Sequence, residues 1–130
     1  MSQFAHWFLR LPFAGVFLYH GMGKLMMPEM AASMQMPLAL FLTIGAAEAL
    51  AGIGAIVGGI PAAPKNDLVT RLSGLAAAPV MLGAIAMVHA PQWSFMPTEA
   101  KPMGGMEFQV TLLGIAVYFL LVGAPATTKR

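Results

Sequence analysis

Long apolar runs alternate along the chain with short segments rich in proline, glycine and charge, and the runs are too long to be strands. The first, 4–24, is interrupted by the polar or ionisable side chains of His6, Arg10 and His20, besides Trp7 and Tyr19, before Lys24 closes it. The second, 38–60, holds one acid, Glu48, and the glycines Gly45, Gly52, Gly54 and Gly58, which suit close helix packing. Two more follow over 72–90 and 106–124. A hydrocarbon core ~30 Å thick takes about 20 apolar residues per helical crossing. The pattern therefore predicts an all-α fold, an integral membrane four-helix bundle, formed as one domain over 1–130 with spans 4–24, 38–60, 72–90 and 106–124.

The breaks carry the expected stop signals. Pro28 and Pro37 bound the first connection, Pro61 and Pro64 end the second run, and Pro91 stops the third. Lys65, Asp67 and Arg71 read as a polar turn between the second and third runs. Because Arg10 lies inside the first run and no small-residue cleavage site precedes Pro28, that run reads as a retained crossing and not a signal peptide. Four crossings put both termini and the 61–71 turn on one side. That side has Lys65, Arg71, Lys129 and Arg130 against Lys24 and Lys101 on the other, which predicts cytoplasmic termini.

Composition narrows the function classes. Only 9% of residues are charged and 58% are hydrophobic, too little charge to solvate an ordinary soluble surface. The net charge of +2 comes from scattered basic residues that make no patch, so nucleic acid is not an expected partner. Without cysteine there are no disulfides, thiolate metal sites or catalytic thiols, and an intrinsic iron–sulfur centre is not expected.

An ionisable group at membrane depth costs at least ~2.5–3.5 kcal/mol, so each must be paired, wet or functional. If the first two runs form a hairpin with ends near 20 and 38, Arg10 and Glu48 each lie about ten residues inward and can form a buried ion pair. Such a pair either fixes helix register or leaves Glu48 to carry a proton or orient a ligand. His20 and Lys24 share a helical face at the outer boundary, as an interfacial histidine and a snorkelling anchor or as part of a site. The same hairpin logic brings His89 and Glu107 to one level, where a His–Glu hydrogen bond would give a proton donor or acceptor; alternatively Glu107 only caps its helix. His20, Lys24, Glu48, His89 and Glu107 would then converge on the outer half of the bundle. A polar pocket in an apolar bundle suits a quinone head group, whose carbonyl oxygens need hydrogen-bond donors and whose reduction needs protons.

Ten of the twelve methionines (22, 26, 27, 30, 34, 36, 87, 96, 103 and 106) fall at or near the outer helix ends. Clustered thioethers can select Cu(I), but methionine is also a flexible filler of apolar surfaces, and no bound metal is expected.

The order Arg10…Phe17-Leu18-Tyr19-His20-Gly21-Met22-Gly23-Lys24, then Glu48 and Gly52, Met87-Val88-His89-Ala90, and Glu107 resembles the DoxX family over nearly the whole chain. The resemblance implies a small four-helix membrane protein. Related DoxD proteins are subunits of a thiosulfate:quinone oxidoreductase, which implies quinone-linked electron transfer or an accessory role beside a membrane oxidoreductase. The chain departs from DoxD in lacking an extra soluble domain and in its Met-rich outer loops, so thiosulfate activity is not carried over. The leading expectation is an accessory or quinone-interacting subunit of a membrane redox complex, with membrane lipid and other membrane subunits as partners. The rivals are a packing subunit without chemistry of its own and a Cu(I)-handling protein of the periplasmic side.

Overall fold

A computed structural model describes residues 2–124, and no strand occurs among them. A short turn, α1 (Ser2–Ala5), leads into α2 (Trp7–Met26); α3 (Met30–Ser33) lies in the first connection; α4 (Leu38–Val57) follows. Then come α5 (Asn66–Ala84), which runs on as a π-helical turn over Ile85–His89, and α6 (Glu107–Val122). Two of these, Leu38–Val57 and Asn66–His89, are long and apolar enough to cross a membrane, while Glu107–Val122 is apolar but shorter.

The boundaries follow from local chemistry. Met27 donates its N–H to Gly23 O as α2 ends, and Pro28 comes next. Pro37, in an extended conformation, caps the start of α4, and glycines 58 and 59 close it ahead of Pro61. Lys65, at φ 54°, turns the chain into α5 six residues before the expected start at 72. The segment read as a polar turn is helix because Asp67 and Arg71 are one turn apart and pair at 2.8 Å, so their charges support the first turns of α5. Lys129 and Arg130, which carry half of the orienting charge, lie outside the described residues.

The long helices pack in chain order, α2 on α4, α4 on α5 and α5 on α6. Small residues set the close approaches. A Cβ on Gly21 would stand 2.5 Å from Ala49 N and 2.7 Å from Gly45 O, so α2 meets the backbone of α4 directly. Gly74 does the same for α5, where a Cβ would run into Ala116 O of α6. The core between the helices holds Phe13, Phe17, Ala51, Ala55, Ala77, Leu112, Ala116 and Phe119. Phe13 and Phe119 meet edge to face with centroids 5.1 Å apart, tying α2 to α6.

This tie lies at the end that carries the 58–65 connection, here called the lower end. Arg10 is buried beside it, 1% exposed. Its Nη1 donates to Ala55 O at 2.8 Å, its Nη2 to Thr70 Oγ1 at 3.0 Å, and its guanidinium carbon sits 4.9 Å from the centroid of the Phe119 ring. The expected Arg10–Glu48 pair does not form, and the register explains why. Gly21 lies against Gly45 and Ala49 of α4, so Arg10, eleven residues lower on α2, stands near the end of α4, with its Cδ facing Gly59 and its guanidinium reaching Ala55. Glu48 is left some two turns higher. Arg71 closes the lower end of α6, donating to Leu120 O, Leu121 O and Val122 O at 2.9, 2.8 and 3.2 Å. These are carbonyls that a helix C-terminus leaves without partners.

Candidate functional site

Toward the upper end, where the 27–37 and 90–106 connections lie, the bundle opens into a cavity of about 720 Å³. That volume is in the range of small-molecule sites, ~300–1,000 Å³. Most of the wall is apolar, with Phe17, Val80, Met81 and Leu112 among its residues. Its polar side chains come from three of the long helices and the π turn: His20 and Lys24 on α2, Thr43 and Glu48 on α4, His89 after α5, and Gln109 on α6.

Lys24 Nζ donates to Glu48 Oε2 at 2.7 Å, and their side chains are 18% and 6% exposed. The pair exists because Gly21 and Gly45 let the two helices come together at this level: a Cβ on Gly45 would stand 2.9 Å from the Lys24 Cβ. Lys24 therefore takes the place expected for Arg10. His20, one turn below Lys24, is exposed and lines the cavity from its rim, with its ring 5.4 Å from that of Tyr19.

On the opposite wall the π turn, closed by Ala90 N donating to Ile85 O at 2.8 Å, carries His89 to a buried position, 7% exposed. Its Nδ1 lies 2.9 Å from Gly104 O and its Nε2 lies 3.0 Å from Gln109 Nε2. A backbone carbonyl only accepts, so Nδ1 carries the proton and donates, and Nε2 accepts from the Gln109 amide. The 90–106 loop is fastened to this point. Lys101 Nζ donates to Val88 O at 2.8 Å and Met106 N to Gln92 O at 2.8 Å. Gly104, at φ 81°, is the residue whose backbone reaches His89; a Cβ there would meet Phe95 O.

Four of the five expected site residues, His20, Lys24, Glu48 and His89, thus line one cavity, and Glu107 does not. The expected His89–Glu107 hydrogen bond is replaced by His89–Gln109. Positions 107 and 109 are about 200° apart around a helix, so only one of them can face the histidine. Gln109 carries no charge to mark it in the sequence, although an amide inside an apolar run opposite a histidine is itself a signal. Met34, Met36 and Met103 also line the cavity.

The arrangement offers an ammonium paired with a carboxylate and, apart from them, an imidazole–amide pair, with apolar surface around both. It can hold a flat apolar ring that carries polar groups at two edges. No three His, Cys, Asp or Glu side chains come together as a metal cluster among the described residues. Comparison with known protein families, with curated proteins and with solved structures finds no match to this chain.

Proposed function

We propose that this chain is a four-crossing protein of a bacterial-type inner membrane that binds a quinone head group in its upper cavity, as a DoxX-like accessory subunit of a membrane redox complex. The observation that carries this reading is the convergence of Lys24–Glu48, His20 and His89–Gln109 from separate helices on a single apolar cavity. Charge and hydrogen-bonding capacity are expensive in such surroundings and are kept where something polar must be held. In this reading the Lys24 ammonium and the His20 imidazole supply donors to one carbonyl oxygen, and the Glu48 carboxylate is the nearest proton acceptor. The His89–Gln109 pair fixes the far edge of the ring. Electrons come from a partner subunit, because the chain's own side chains include no redox-active group beyond aromatics and thioethers.

The test is titration of the protein in lipid nanodiscs with a decyl-chain benzoquinone, read by tryptophan fluorescence and by equilibrium dialysis. Wild-type protein is expected to bind, and Glu48→Gln and His89→Ala to weaken binding at least tenfold while thermal unfolding stays cooperative. Absence of saturable binding by the wild type rejects the proposal.

A second reading is favoured by one observation, the three thioethers of Met34, Met36 and Met103 among the residues lining the cavity. They are suited to Cu(I), delivered from the periplasmic side. Metal analysis after exposure to Cu(I) under reducing conditions separates the two: retention lost in a triple Met→Leu variant supports copper, and none in the wild type ends it.

A further inference from the structure

In the lower half, α4 and α5 are sealed against each other. A Cβ on Gly54 would stand 2.9 Å from the Ser73 Cβ, and Ser73 Oγ donates to Ala51 O at 2.6 Å. From one turn higher the same stripes continue upward over two to three turns as Ala47 and Thr43 on α4 and as Ala76, Pro79 and Gly83 on α5, and there they line the cavity. The side chains at this level are small, and Pro79 lacks the N–H that would bond to the preceding turn. Thr43 and Pro79 are exposed, whereas Ala47 and Ala76 are half-buried, and all four line the cavity, leaving a gap of small side chains between α4 and α5 at this level. Overhead, half-buried Met34 and Met36 lie across it from the 27–37 connection. Ala47 lies nine residues below the start of α4, about 14 Å at 1.5 Å per residue, which is within the acyl region of a bilayer.

We infer that this gap is a lateral door and that the ligand is a lipid-tailed quinone. Its ring sits between Lys24–Glu48 and His89–Gln109, and its alkyl or isoprenoid chain passes between Ala47 and Gly83 into the surrounding lipid. The inference rests on the quinone reading of the cavity and narrows it to a membrane-resident substrate. A long chain left in the acyl region keeps its hydrophobic solvation, so the cavity need enclose only the ring and the first carbons of the tail.

The absence of native cysteine allows a direct test. In membrane vesicles, Ala76→Cys is expected to react with N-ethylmaleimide, which partitions into lipid, at least tenfold faster than with a charged methanethiosulfonate reagent. Adding Gly83→Leu should slow the maleimide reaction at least tenfold; a Cβ at Gly83 meets nothing within 4 Å, so this variant has room to fold. Rapid reaction with the charged reagent, or no effect of Gly83→Leu, overturns the door.

In nanodiscs, a benzoquinone with a decyl chain should bind at least tenfold more tightly than the same ring without it. Gly83→Leu should remove that advantage and leave the bare ring unaffected. Equal binding of both by wild type overturns the lipid-tailed ligand. Binding of neither rejects the quinone reading itself, and the labelling result still decides the door.

Discussion

Replacing Lys24 with methionine should destabilise the protein far more than replacing Glu48 with glutamine, and changing both together should cost less than Lys24→Met alone. At an effective dielectric near 20, typical of pairs close to a protein surface, unit charges ~4 Å apart attract by about 4 kcal/mol, and taking each out of water costs several kcal/mol. The Lys24–Glu48 contact is 2.7 Å, with the carboxylate 6% exposed and the ammonium-bearing chain 18% exposed. Lys24→Met strands the more deeply buried member in an apolar wall, for an expected loss of about 3–5 kcal/mol. Glu48→Gln leaves an acceptor for Lys24, whose long stem can also carry the ammonium toward the upper boundary, so about 1–2 kcal/mol is expected. In Lys24→Met/Glu48→Gln no charge remains to be solvated, and the variant should fall within about 1–2 kcal/mol of wild type. The measurement is equilibrium unfolding in mixed micelles, analysed as a double-mutant cycle with an expected coupling of about 2 kcal/mol or more. If both single variants and the double variant lie within about 0.5 kcal/mol of wild type, the pair is screened by water and the argument from burial fails.

Three further outcomes can be checked in the same assay. Gly21→Leu should cost about 1–3 kcal/mol by forcing α2 off the α4 backbone, whereas Gly15→Leu, on a surface with nothing within 4 Å of a Cβ, should change stability by less than about 0.5 kcal/mol. Arg10→Met should lie within about 1 kcal/mol of wild type, because it fills similar space and removes a buried charge, while Arg10→Ala should lose about 2–4 kcal/mol to the space it leaves. Arg71→Ala should cost about 1 kcal/mol, and hydrogen exchange should show faster opening of the last turn of α6, whose carbonyls it caps, with α4 unchanged.

Hydrophobic run length was enough to find the four long helices, because each run exceeds what a strand or loop sustains. What it could not supply was the hairpin register. Gly21 packs against Gly45 and Ala49, a register about ten residues, nearly three turns, away from one that sets 10 opposite 48, and every α2–α4 partner moved with it. Arg10 consequently met Ala55 and Thr70, while Lys24, expected either as an interfacial anchor or as part of the site, met Glu48. Thr70 gave little warning, since a hydroxyl near the polar 65–71 stretch looks like solvent-facing sequence. His20 and Glu48 converge because the same register that parts Arg10 from Glu48 sets Gly21 against Gly45 and Ala49, level with Glu48, and His89 ends its helix on the same cavity. The π turn left no mark in the residue pattern, and it is what turns His89 toward Gln109.

On the membrane reading proposed above, the unequal lengths of the helices have a consequence for the lipid around them. At 1.5 Å per residue, the 16 residues of α6 span about 24 Å, whereas the 24 residues from Asn66 to His89 span about 36 Å. A bilayer wrapped around this bundle meets a short wall beside a tall one. Lipids against α6 must compress or lean, at fractions of a kcal/mol per ångström of mismatch, while those against α5 need not. The protein would carry a built-in dent in the leaflet, and neighbouring subunits with similarly short helices would find their lowest-energy berth along that edge.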